Sequence, residues 1–159
     1  PDDRVPQQTS VLATVDGRVP LNLDDKRQSA ADAVIRAVGG LEQIFVISGL
    51  SPHKVRRELA LHPGVPVLVN LNPFDKFVAR IPWLRTRWLC RRSQRRLFQH
   101  PDVVGLNLNH EWVDERLVAA VHSTGAQVWV FTVTSAAGWE RSAQLGVDSI
   151  TVDDPNRRQ

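Results

Sequence analysis

Residues 101–155 read PDVVGLNLNHEWVDERLVAAVHSTGAQVWVFTVTSAAGWERSAQLGVDSITVDDP. Strand and helix signals alternate here with few spare residues. Val103 to Leu108 is a short apolar run. Asp114 to Ser123 carries Leu117, Val118 and Val121 at helical spacing, and Gly125 closes it. Val128 to Val133 is β-branched and aromatic. Trp139 to Leu145 reads as a second helix stopped by Gly146, and Ser149 to Val152 as a last strand. Strands separated by single helices predict parallel βαβ units, with a glycine past each helix as its C-terminal cap. The fold class is therefore α/β. The acidic end, Val152-Asp153-Asp154-Pro155, falls at the carboxyl end of a strand, where such folds keep their chemistry.

The same alternation extends upstream. Residues 1–10 are polar and read as an exposed arm, 11–15 as a short helix, and Asp16-Gly17 as a turn. Pro20 to Asp25 is the first clear strand. Gln28 to Val38 is helical, with Ala31, Val34, Ile35 and Val38 on one face and Gly39-Gly40 as its stop. Ile44 to Ser48 is the second strand. Ser51 suits an N-cap and Pro52 the first helical position, so Pro52 to Leu61 is a helix. Val65 to Leu71 is the third strand. About six strands and at least four helices result, with no repeat, low-complexity tract or internal linker. The expected organisation is one domain over 1–159, interrupted by a basic aromatic insertion at 74–100.

Composition narrows the function classes. A chain of 159 residues with 42% hydrophobic and 23% charged residues can bury a core. No apolar run approaches the roughly 20 residues of a membrane-spanning helix. The first ten residues lack the apolar stretch of a signal peptide. The single cysteine, Cys90, excludes an internal disulfide and a thiolate zinc cluster within one chain. A cytoplasmic or membrane-peripheral setting is favoured, although an exported protein without disulfides would look the same. Methionine is absent, so the chain is expected to be processed or part of something longer. Net charge is +3, and the excess lies in one block. Lys76, Arg80, Arg85, Arg87, Arg91, Arg92, Arg95 and Arg96 cluster there with only Asp75 beside them.

Four segments, in order, resemble one family. The tail Gly125-Ala-Gln-Val-Trp-Val-Phe-Thr-Val-Thr134 is similar to G-x-x-V-x-V-W-T-V-N. Leu145-Gly-Val-Asp-Ser-Ile-Thr-Val-Asp-Asp-Pro155 is similar to G-V-D-G-I-I-T-D-x-P. Val19-Pro-Leu-Asn-Leu-Asp-Asp-Lys26 resembles L-N-I-E-I-K, and Ile44-Phe-Val-Ile-Ser-Gly-Leu-Ser-Pro52 resembles S-S-F-x-P. These are motifs of the glycerophosphodiester phosphodiesterases. The resemblance implies the carboxy-terminal five or six units of a (β/α)8 (TIM) barrel, since a complete barrel takes roughly 250 residues. In the family three βα units precede the segment resembling Val19–Lys26. Six visible strands would then make nine, so one strand is expected to lie outside the barrel, with Val103–Leu108 and Val67–Leu71 the candidates.

Asp24 and Lys26 stand two apart on a strand and so share a face. A carboxylate there suits a divalent cation, and the ammonium suits a phosphate oxygen. The bland reading is a solvated strand-end turn. The resemblance implies that Asp24 is a ligand for Mg²⁺ or Ca²⁺ and that Lys26 contacts phosphate, although the family's usual residue at Asp24 is Glu. It further implies a substrate pocket holding Phe131 and Thr134, where the family shows Trp and Asn, together with Asp153. Core packing and capping are the competing readings. Ser48 ends the second strand facing the same mouth.

The resemblance also predicts what should be present and is not. The family's acid and base are two histidines, in H-R-G and H-D segments, and an E-x-D pair completes its metal site. None of these occurs in this chain. His53, His62 and His100 read as surface positions, and His122 as the end of a helix. His110 follows a strand and is the histidine expected at the mouth. One histidine does not readily supply both proton transfers of phosphodiester cleavage.

Within 74–100, tryptophans and phenylalanines interleave with Arg85, Arg87, Arg91, Arg92, Arg95 and Arg96. The pattern suits an anionic phospholipid surface, a helix packed on the barrel with a solvated basic side, or, less well, nucleic acid. Two functions follow. One is metal-dependent hydrolysis of a glycerophosphodiester to glycerol 3-phosphate and an alcohol, in a protein completed by amino-terminal units. The other is a non-catalytic partial barrel that binds a partner or an anionic surface through 74–100. An open partial barrel leaves two strand edges, so a partner chain or dimer is expected to cover them.

Overall fold

Short β-branched runs separated by helices build a parallel sheet of six strands. The structure is a computed structural model, and it describes residues 21–24, 45–70, 81 and 98–153. The strands are β1 (Leu21–Asp24), β2 (Phe45–Leu50), β3 (Val67–Asn70), β4 (Val103–Asn109), β5 (Gln127–Val133) and β6 (Ser149–Val152). The described helices are α1 (Pro52–Leu61), α2 (Glu115–His122) and α3 (Ala136–Gln144), with a 3₁₀ turn at His110–Trp112.

Strand order in space equals strand order in sequence, and all five pairings are parallel. A doubly wound sheet would reverse direction at a switch point. This one never does, and it curls into a half-barrel. Neither β3 nor β4 is extra: each is paired on both sides, which corrects the expectation that one lies outside the barrel. The pairings of β3 are irregular on both sides, with register shifts between Ile47 and Leu50 against β2 and between Val67 and Leu68 against β4.

Strand alternation assigns the two faces. Ile47, Val67, Val69, Leu106, Leu108, Val128 and Val130 join Val55 of α1 and Leu117, Val118 and Val121 of α2 in one buried cluster. Each fully buried aliphatic side chain contributes about 1.5–3 kcal/mol. This outer seam, between strands and helices, holds the sheet. The alternate positions carry Ser48, Asn70, Asn107 and Asn109 and face the other way.

Local signals explain the helices. α1 starts with Pro52 at its first position, as expected, but Ser51 makes no side-chain capping bond. In α2, Asp114 accepts from the Leu117 N–H at 2.9 Å, and the three residues read as its apolar face are its buried ones. Gly125 follows at φ +81°, a conformation that suits glycine and turns the chain into β5. α3 begins at Ala136, three residues before the expected Trp139, because Ser135 caps it by accepting from the Gly138 N–H. No described helix is long and apolar enough to cross a membrane. The expected elements at 1–19 and 28–38, and the segment 74–97 apart from residue 81, lie outside the described residues.

Candidate active site

The carboxyl halves of all six strands converge on one cavity of 610 Å³. Asn22 and Asp24 come from β1, Ser48 and Gly49 from β2, and Asn70 from β3. Asn107, Leu108 and Asn109 come from β4, Phe131 and Thr132 from β5, and Thr151 from β6; Trp112 joins them from the 3₁₀ turn. The described lining therefore holds one carboxylate, a set of amides and hydroxyls, and two aromatic rings.

Backbone bonds set several of these groups. Asn70 Oδ1 accepts from the Gly49 N–H at 2.9 Å, tying β3 to β2 at the rim. Asn109 Oδ1 accepts from the Glu111 N–H at 2.8 Å and so caps the 3₁₀ turn. Arg141 of α3 clamps that turn. Its Nη1 donates to the His110 carbonyl at 3.0 Å and its Nη2 to the Val113 carbonyl at 2.7 Å. Trp112 lies between those two carbonyls, so the guanidinium fork fixes the segment that presents it.

The expected site residues divide. Asp24, Ser48 and Phe131 line the cavity. Asp24 is exposed at the end of β1, whereas Ser48 is buried. Thr134 and Asp153 are exposed beyond the ends of β5 and β6 and are not among the lining residues. His110, expected at the mouth, is not among the lining residues. Its ring packs at the start of α3, where a Cβ on Gly138 would lie 3.3 Å from its Cε1. Lys26, Arg85, Arg87, Arg91, Arg92, Arg95 and Arg96 lie outside the described residues.

The amides went unnoticed in the sequence, although a signal was present. Asn107 and Asn109 stand two apart in an otherwise apolar strand, and polar residues at that spacing mark a face that is not core. Trp112 carried no such signal, because its place depends on the distant Arg141.

A sequence model of the glycerophosphoryl diester phosphodiesterase family matches residues 70–157. The chain belongs to this family. The match includes both tail motifs, while the segments around Asp24 and Ser48 lie outside it. No curated protein sequence matches the chain. Solved structures share the fold. One is a protein from Silicibacter pomeroyi DSS-3 assigned as a glycerophosphoryl diester phosphodiesterase, at TM-score 0.71 and 19% identity over 98% of this chain and 55% of that one. Another is from Galdieria sulphuraria, assigned as a glycerophosphodiester phosphodiesterase, at TM-score 0.69 and 14% identity over 96% of this chain and 62% of that one. A third is an Oleispira antarctica phosphodiesterase in complex with the product sn-glycerol-3-phosphate, at TM-score 0.69 and 19% identity over 97% of this chain and 60% of that one. The chain thus spans little more than half the length of the structures it matches.

Proposed function

We propose that this chain forms one side of the active site of a glycerophosphodiester phosphodiesterase, which hydrolyses its substrate to glycerol 3-phosphate and an alcohol. One observation carries the reading. In a member of this family, all six described strands end on a single cavity that includes Asp24. The product held by the Oleispira antarctica phosphodiesterase supports the ligand class.

Phe131 supplies an apolar wall, and the lining amides and hydroxyls supply hydrogen bonds. Asp24 and, two residues on, Lys26 are assigned to metal and phosphate by family resemblance. A hard divalent cation takes six or more oxygen ligands, usually several of them carboxylates. Asp24 is the one carboxylate among the described lining residues, and no group of three His, Cys, Asp or Glu that could hold a metal occurs among the described residues. The described residues therefore do not make a Mg²⁺ or Ca²⁺ site by themselves. The acid and base, too, are assigned to the remainder of the barrel, since their motifs do not occur in this chain.

The departures from the family pattern at Asp24, Phe131 and Thr134 support the second reading, a non-catalytic half-barrel that binds a partner or an anionic surface through 74–100. Hydrolysis separates the two. The native protein, its intact mass and oligomeric state measured first, is assayed on glycerophosphocholine, glycerophosphoethanolamine and glycerophosphoglycerol with Mg²⁺ or Ca²⁺. Turnover of at least one is expected. Asp24→Ala is expected to lower kcat/KM by about 100-fold or more, while stability stays within about 0.5 kcal/mol, as for other exposed substitutions. No turnover by the native protein would remove the hydrolase reading. Undiminished turnover in the variant would remove Asp24 from the site.

A further inference from the structure

Two buried polar atoms on the inner face lack partners. Ser48 on β2 is 1% exposed and Asn107 on β4 is 6% exposed. Ser48 Oγ and Asn107 Oδ1 find no hydrogen-bond partner among the described residues. Both residues line the cavity. Buried polar atoms in folded proteins are nearly always paired, so each of these points to something that enters the cavity.

Their neighbours are already engaged. Asn70 on β3 pairs in register with Asn107, and its Oδ1 is held by the Gly49 N–H. Asn109 Oδ1 is held by the Glu111 N–H. In the row of Ser48, Asn70, Asn107 and Asn109, the outer two amides are anchored to backbone. The Ser48 hydroxyl and the Asn107 carbonyl oxygen are left for a ligand.

We infer that Ser48 and Asn107 form a hydroxyl-reading subsite, which binds the glycerol portion of the substrate rather than its phosphate. Asn107 Oδ1 accepts and therefore needs a donor. An ionised phosphodiester has none, and neither does a quaternary ammonium group. A hydroxyl both donates and accepts, so the hydroxyls of a polyol serve Asn107 Oδ1 and the Ser48 O–H. The Phe131 ring in the same lining covers the C–H surface of a polyol. The subsite rests on the proposed function for the identity of the polyol as a glycerol moiety. Ser48 and Asn107 are then specificity residues that touch substrate without taking part in bond cleavage.

The test is isothermal titration calorimetry on the full-length native protein with Mg²⁺ or Ca²⁺ present. The probes are sn-glycerol 3-phosphate and propyl phosphate, which share a phosphate and a three-carbon chain and differ in the hydroxyls. The native protein is expected to prefer glycerol 3-phosphate by on the order of 100-fold, because a site built for hydroxyls strongly rejects analogues without them. Ser48→Ala and Asn107→Leu are expected to shrink that ratio to about 3-fold by weakening glycerol 3-phosphate alone, whereas a merely structural role would weaken both ligands together. Equal binding of the two probes by the native protein overturns the subsite and leaves the proposed hydrolase standing, and it needs no variant. A ratio unchanged in well-folded variants overturns it as well. Binding of neither probe, with no hydrolysis, overturns the proposed function and the subsite together.

Discussion

Gly105→Ala tests the half-barrel at its tightest point. Gly105 is buried on β4 and pairs in register with Gln127 on β5. A Cβ there would overlap the Gln127 carbonyl oxygen and lie 2.7 Å and 2.8 Å from the Gln127 C and N atoms. Carbon contacts relax at roughly 3.5–4.0 Å, so the two strands must part by about 1 Å. Neighbouring strands sit about 4.8 Å apart, and a shift of that size breaks ladder hydrogen bonds on both sides of the insertion. Two lost bonds cost about 1–3 kcal/mol together, and forcing a methyl group against immovable backbone costs about 1–3 kcal/mol more. Replacing glycine returns only about 0.5–1 kcal/mol of chain entropy. The net destabilisation is therefore about 3 kcal/mol. Urea denaturation of the full-length protein and the variant measures it. Asn107 and Asn109 lie two and four residues further along β4, so turnover of the folded variant should fall as well. A variant as stable as its parent would refute the reasoning, because β4 and β5 could not then approach backbone to backbone at this pair.

Other outcomes follow from named contacts. Asp114→Ala removes the acceptor for the Leu117 N–H at the start of α2 and should cost about 1 kcal/mol in denaturant melts; a loss under 0.3 kcal/mol would mean that the cap is redundant. Arg141→Met keeps the length of the side chain but removes both bonds to the His110 and Val113 carbonyls. It should raise KM about 10-fold or more with a smaller change in kcat, because Trp112 loses its fixed position, and an unchanged KM would show that the turn holds without the clamp. Replacing Arg91, Arg92, Arg95 and Arg96 with Gln should weaken binding to phosphatidylserine vesicles by about 1 kcal/mol per charge, and unchanged vesicle binding would remove the membrane reading of 74–100.

The tail was the most legible part of the sequence, because each element there carries its own punctuation. Leu117, Val118 and Val121 mark one face of α2, Asp114 opens it and Gly125 closes it, and all five do so in the structure. The start of α3 was harder to read, since Ala136, Ala137 and Gly138 show no apolar period and the informative residue is the cap, Ser135. Motif resemblance located the family, and Asp24, Ser48 and Phe131 do line the cavity. His110 was expected at the mouth from its position after a strand; it opens a 3₁₀ turn, and its ring lies beside Gly138 at the start of α3, outside the described lining. The amide row was missed because Val103–Leu108 looked apolar when read as a whole. Read in alternation, Leu106 and Leu108 belong to the core, and Asn107 and Asn109 do not.

That alternation places stability and recognition on opposite faces of the same strand. A slip of one residue in β4 would bury Asn107 and Asn109 in the outer cluster and turn Leu106 toward the cavity. The residues that prevent it lie away from the ligand side. Gly105 admits β5 so closely that a residue with a Cβ at this pair would overlap the Gln127 backbone. Across the next seam, Asp148 donates its N–H to the Val128 carbonyl at 2.8 Å and accepts the Val128 N–H on Oδ2 at 2.7 Å. The same oxygen lies 2.8 Å from His122 Nε2, which ties the end of α2 to the foot of β6. These contacts sit at the amino ends of β5 and β6, whereas the cavity opens at the carboxyl ends. They fix which side chains face inward and never meet a ligand themselves, so the half-barrel's chemistry depends on residues that no search for catalytic motifs would select.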